Sequence, residues 1–234
     1  MEEAKTRTVI SSGNREIDDK MGGGVPFGSL TLIEGDSHSG KSVLSQQMMW
    51  GSLSEGVRLS FFTTENTVKS LVKQMQSLDI DVLDYLLLGK MRLYPWEIAQ
   101  SKEDVFSLLL QAIRAEGQRG AEMIFVDALT PCITVAPADA TLRFFEQCKR
   151  LCSEGTTVVL VVHSHAVDRD LLVRITSLCD AHLRLRTEEV GERLVKTMEV
   201  SKVRGASKRT GNIVSFEVEP GFGMRIIPIS KAQG

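Results

Sequence analysis

Leu30-Thr31-Leu32-Ile33-Glu34 leads straight into Gly35-Asp36-Ser37-His38-Ser39-Gly40-Lys41-Ser42, and a helical pattern follows over 41–53. The stretch from Gly35 to Ser42 matches G-x-x-x-x-G-K-[ST] at every specified position. The chemistry explains the spacing. Glycines let the backbone curl until its N–H groups point inward and form an anion nest. The helix that starts near Lys41 aims its positive dipole end at the same place. Lys41 is placed to reach the β- and γ-phosphates of a nucleoside triphosphate, and the Ser42 hydroxyl to hold Mg2+. The expected cofactors are therefore ATP and Mg2+. The expected binding set is Gly35, Asp36, Ser37, His38, Ser39, Gly40, Lys41, Ser42 and Val43. At ordinary composition such a match arises by chance in about 1% of chains of this length. His38 gains no specific role from this reasoning.

Outward from this loop, strand-like and helical patterns alternate. The run VRLSFFTT at 57–64 reads as a strand, 67–78 as a helix and MRLY at 91–94 as a short strand. The clearest helix covers 101–119, with Val105, Leu108, Leu109, Ala112 and Ile113 on one face. Ser101 and Asp104 suit a capping box at its start. MIFV at 123–126 and TTVVLVV at 156–162 have no polar face. Strands apolar on both sides belong in a parallel sheet covered by helices. A helix is expected over 140–154 with Asp139 as its cap, and a loop over 131–137. Beyond Leu178, 181–186, 193–203, 213–219 and 224–229 read as strands, with a turn at 190–192 and a polar loop at 205–211. The expected fold is α/β: a doubly wound P-loop core, mostly parallel, flanked by helices and carrying a C-terminal antiparallel extension. One domain is expected over 1–234.

Asp127 ends the apolar run Met123-Ile124-Phe125-Val126. That makes a Walker B strand, whose aspartate would hold Mg2+ through water together with Ser42. Glu65 follows the second strand. A carboxylate beside the P-loop is suited to general-base work on water, or to capping the next helix.

The chain has 234 residues, 42% hydrophobic and 25% charged, with a formal net charge of −2. A domain this size buries roughly 70–75% of its unfolded surface and needs no staples. The charge gives no overall basic field for nucleic acid or an anionic membrane. Cys132, Cys148, Cys152 and Cys179 form no C-x-x-C pair, and the first residues show no signal-peptide pattern. Cytoplasmic placement is expected, with membrane contact only through partners. Cys148 and Cys152 read as buried thiols.

Ser12-Gly13, Ile17-Asp18 and Gly22-Gly23-Gly24-Val25-Pro26-Phe27-Gly28-Ser29 precede the P-loop. With Phe61-Phe62-Thr63-Thr64-Glu65-Asn66 and Ser201-Lys202-Val203-Arg204-Gly205, this order resembles a KaiC-type RecA domain. Within that superfamily, the Gly-Gly-Gly-Val-Pro stretch and Ser45-Gln46-Gln47 are similar to the single-domain archaellum accessory ATPases. The resemblance implies that the core is RecA-like and that identical subunits form a ring, expected to be a hexamer. It also implies that Glu65 faces the γ-phosphate, that His163 or Ser164 senses it, and that Lys202 and Arg204 reach a neighbour's phosphates. KaiC-type domains usually carry two adjacent glutamates, and Asn66 stands in the second place, which puts turnover in question. The partners implied by resemblance are the archaellum motor ATPase and a membrane-bound scaffold. Two other functions stay open: a KaiC-like signalling ATPase that phosphorylates itself, and a RecA/RadA-like recombination paralogue. Against the second, 123–140 contains no Lys or Arg for nucleic acid.

Overall fold

The computed structural model describes residues 8–97, 105–190, 193–205 and 213–227. A two-stranded ribbon, β1 (Val9–Ile10) with β2 (Val25–Pro26), encloses α1 (Arg15–Lys20). The phosphate-loop unit follows as β3 (Leu30–Gly35) and α2 (Lys41–Ser54). Next come β4 (Leu59–Thr63), α3 (Val68–Ser77), α4 (Leu83–Leu87), β5 (Met91–Pro95), α5 (Val105–Gln118) and β6 (Met123–Asp127). They are succeeded by α6 (Thr130–Val135), α7 (Ala138–Ser153), β7 (Thr157–His163) and α8 (Arg169–Leu178). The chain closes with β8 (Ala181–Val190), β9 (Arg193–Val203), β10 (Ile213–Glu219) and β11 (Gly223–Ile227).

The main sheet runs β11-β10-β9-β8-β3-β7-β6-β4-β5. From β8 to β5 every pairing is parallel, and β9, β10 and β11 add on antiparallel. The strand pleat sorts side chains between two cores with period two. Ile33, Phe125 and Val161 join Leu44, Met48 and Leu71 from α2 and α3 on one face. Leu32, Val126 and Leu160 join Ile113, Phe145 and Ile175 from α5, α7 and α8 on the other. Each fully buried side chain of this size contributes roughly 1.5–3 kcal/mol relative to exposure. The functional consequence is positional. β3 is held on both sides by β7 and β8, so the loop after Gly35 leaves a fixed strand at the carboxyl edge of the sheet.

Several local expectations change. The stretch expected as a loop over 131–137 is largely α6, with Pro131 in its first turn, where a missing N–H does no harm. α7 starts two residues earlier than expected. Asp139 lies inside its first turn rather than at the cap, so it meets the dipole instead of bonding a free amide. β4 stops at Thr63, and the turn after it carries Glu65. The expected cap of the 101–119 helix, the turn at 191–192 and most of the 205–211 loop lie outside the described residues. No helix among the described residues is long and apolar enough to cross a membrane.

Candidate nucleotide site

Gly40 is the N-cap of α2 with φ of 96°, a left-handed conformation that favours glycine. A Cβ there would also lie 3.0 Å from the Phe216 ring. At Gly35 a Cβ would fall 2.3 Å from the Leu185 carbonyl oxygen. Packing therefore excludes a side chain at Gly35, and turn shape together with the Phe216 ring disfavours one at Gly40. α2 begins without a capping side-chain bond and without an acidic residue in its first turn. Its leading amides are left for an anion. Lys41 Nζ donates to the Asp36 carbonyl at 2.6 Å, and Ser39 Oγ donates to the same oxygen at 2.8 Å. Burial lowers the Lys41 pKa, and the Asp127, Glu65 and Asp36 carboxylates oppose that shift.

Asp127 sits across from this loop and is 3% exposed. Its Oδ2 accepts from Ser45 Oγ at 2.9 Å, while its buried Oδ1 has no partner. Burial first, then the Glu65 charge, push its carboxyl up to about 6. An unpartnered carboxylate oxygen beside the Ser42 hydroxyl fits a hard, hydrated divalent cation such as Mg2+. Asp127 and Ser42 would hold it, and it would supply charge neutralisation for the phosphates.

Glu65 lies at the rim, and its Oε1 is 3.0 Å from His163 Nε2. Both border the same cavity as Lys41 and Ser42, a space of about 530 Å3. Asn66 turns away, its Oδ1 accepting from Ser70 Oγ at the start of α3, where Thr67 is the cap. Ser164 Oγ reaches Asp36 Oδ1 at 3.5 Å. Thus β3, β7 and the turn after β4 bring Lys41, Ser42, Glu65 and His163 to one cleft, with Asp127 of β6 joined to α2 through Ser45, whereas Asp36 and Ser164 border the neighbouring cavity.

A family model described as "ATPase: KaiC" matches residues 10–231. The chain belongs to the KaiC family of ATPases. It is 30% identical over 229 residues to the archaeal flagellar ATP-binding protein FlaH of Sulfolobus acidocaldarius, covering 95% of this chain and 98% of that one. FlaH of Methanocaldococcus jannaschii is 26% identical over 224 residues, covering 93% and 94%. The crystal structure of the flagellar accessory protein FlaH from that organism superposes with a TM-score of 0.84 at 24% identity, over 94% of this chain and 99% of the other. That likeness shows the fold.

In this KaiC-family chain, Lys202 and Arg204 do not join the cleft. β9 is antiparallel to β8, and Val203 pairs with Ala181 at the start of β8, while Leu185 lies beside Gly35. Four residues of strand separate those levels, about 13 Å. Lys202 Nζ donates to the Cys179 carbonyl at 2.6 Å, closing the end of α8. Arg204 is more than half exposed, with Nη1 3.8 Å from Asp180 Oδ1. Lys196, Gln74 and Val218 border the cleft and escaped the sequence reading. Lys196 Cδ would be 3.7 Å from a Cβ on Gly40. No local motif marks these residues, because the folding of β9 and β10 over the phosphate loop brings in Lys196 and Val218.

Proposed function

We propose that this chain is an ATP-binding accessory module of the archaellum motor, working as a nucleotide-dependent assembly ring of identical subunits. The observation that carries the reading is the cradle itself: an uncapped α2 terminus, Lys41 against the loop, and the free Asp127 oxygen opposite. A bound triphosphate would occupy the loop, and Ser42 and Asp127 would hold the Mg2+ that neutralises its charge. Near-full-length similarity to proteins named archaeal flagellar ATP-binding proteins supports the archaellum setting. The ring is a hexamer on the cytoplasmic side, meeting the motor ATPase and a membrane-bound scaffold.

Turnover is slow in this reading. Glu65 accepts the proton of a water that attacks the γ-phosphorus, while the bond to the β-phosphate oxygen breaks and ADP leaves. One Glu65 oxygen is held by His163, and Asn66 supplies no second base. Binding rather than flux is then the useful output.

Lys41→Ala should abolish Mg-ATP binding in calorimetry and ATP-dependent ring formation in light scattering. A folded Lys41→Ala protein that binds and assembles like the wild type overturns the proposal.

A further inference from the structure

A second cavity, about 490 Å3, opens beside the phosphate loop between the start of α8 and the middle of β8. Consecutive residues divide the two spaces. Ser37 and His163 border the nucleotide cleft, whereas Asp36 and Ser164 border the second cavity. Arg169, Arg184, Arg186 and His165 also line it, and among the described residues Asp36 is the only carboxylate that does.

These cations are incompletely matched. Arg169 has no ion pair among the described residues. Arg184 uses Nε to reach buried Glu34 Oε1 at 2.7 Å, which leaves the terminal nitrogens of its fork for another acceptor. Arg186 Nη2 stands 3.8 Å from Glu199, a loose contact. Asp168 is taken by the backbone amides of Asp170 and Leu171 at the start of α8. Guanidinium groups facing one cavity repel, and an anion between them relieves that repulsion. A single carboxylate has two oxygens and satisfies one fork. A diphosphate brings more oxygens and more charge, and suits several forks together with the Ser164 hydroxyl.

We propose that this cavity is a binding site for a diphosphate or triphosphate group, separate from the nucleotide cleft. Its ligand is a free polyphosphate or the phosphate tail of a second nucleotide.

The test uses the full chain carrying Lys41→Ala, which disables the first cleft. Inorganic pyrophosphate and ADP are titrated separately by calorimetry. One pyrophosphate should bind per chain, and adding Arg169→Ala with Arg186→Ala should weaken it by about tenfold or more. Binding by ADP at the same arginines assigns a nucleotide tail; binding by pyrophosphate alone assigns a free polyphosphate. Circular dichroism confirms folding. If the double change unfolds the chain, Arg186→Ala alone serves, because that side chain is partly exposed and loosely paired. No heat with pyrophosphate, or heat indifferent to the arginines, overturns the proposal. So does arginine-dependent binding of single-stranded DNA or an oligo-glutamate peptide when pyrophosphate does not bind.

Discussion

At the residue scale, Asp127 is a carboxylate strongly altered by its surroundings. Burial, then the Glu65 charge, raise its folded pKa to about 6, against pull from Ser45, Ser42 and Lys41. In an unfolded chain the value is about 3.9. A raised folded pKa means that the native state holds the proton more tightly. The stabilisation is complete below about pH 4 and is lost as pH rises through about 6. Roughly two pKa units correspond to about 3 kcal/mol. Without cation or nucleotide, Asp127→Asn should therefore exceed the wild type in stability by up to about 3 kcal/mol at pH 8 and match it near pH 4. Urea unfolding at the two pH values checks this, and a difference independent of pH would sink the burial account. Glu65 carries a kinetic prediction instead. Glu65→Gln should keep Mg-ATP affinity and leave ATP bound, unhydrolysed, in single-turnover chromatography; unchanged turnover removes Glu65 as the base.

At the scale of elements, Glu116 clasps α5 to the sheet. Its carboxylate is 2% exposed and accepts from Ser60 at 2.6 Å, Arg119 at 2.8 Å, Tyr94 at 2.9 Å and Arg92 at 3.2 Å. Burial raises its pKa, but these bonds outweigh burial and the net shift is downward. Stability from a depressed carboxylate is present above the ordinary range and lost as pH falls through it. Glu116→Ala should cost about 1–3 kcal/mol at pH 7, because buried Ser60 and half-buried Tyr94 lose their acceptor while Arg92 and Arg119 can turn to solvent. The deficit should shrink on acidification to pH 3, as thermal melts would show. The central strands were legible because β6 and β7 are apolar on both faces, a pattern that a covered parallel sheet explains. The Walker residues were legible because one local segment makes each of them. α6 was not, since Pro131 and Pro137 read as breakers, yet the first falls where a helix tolerates it. Nor was the inward contact of Lys196, which depends on how β9 lies against the phosphate loop rather than on its neighbours in sequence.

At the scale of the whole molecule, the strand register decides what Lys202 and Arg204 can do. Both sit near the amino end of the parallel strands, and the phosphate loop leaves the carboxyl end. Neither can serve its own nucleotide, so any catalytic use requires a second subunit. They also differ from one another. Lys202 is committed to the end of α8, where its ammonium meets the Cys179 and Ser177 carbonyls, and burial lowers its pKa. Arg204 projects outward past Asp180. The prediction follows from that difference. Lys202→Ala should lower stability by about 1 kcal/mol through the lost helix cap, measurable in denaturant titration. Arg204→Ala should leave stability unchanged and cut ring ATPase activity, since a trans arginine contributes roughly 10³–10⁵ in rate. Mixing supplies the decisive measurement. Arg204→Ala subunits keep an intact phosphate loop and Glu65, and Glu65→Gln subunits keep ATP binding and an intact arginine. Each alone should be inactive, and co-assembled rings should recover activity at interfaces that pair an intact Glu65 with an intact arginine. Mixtures that stay inactive despite forming rings, or Arg204→Ala rings as active as the wild type, would exclude Arg204 from the neighbour's site.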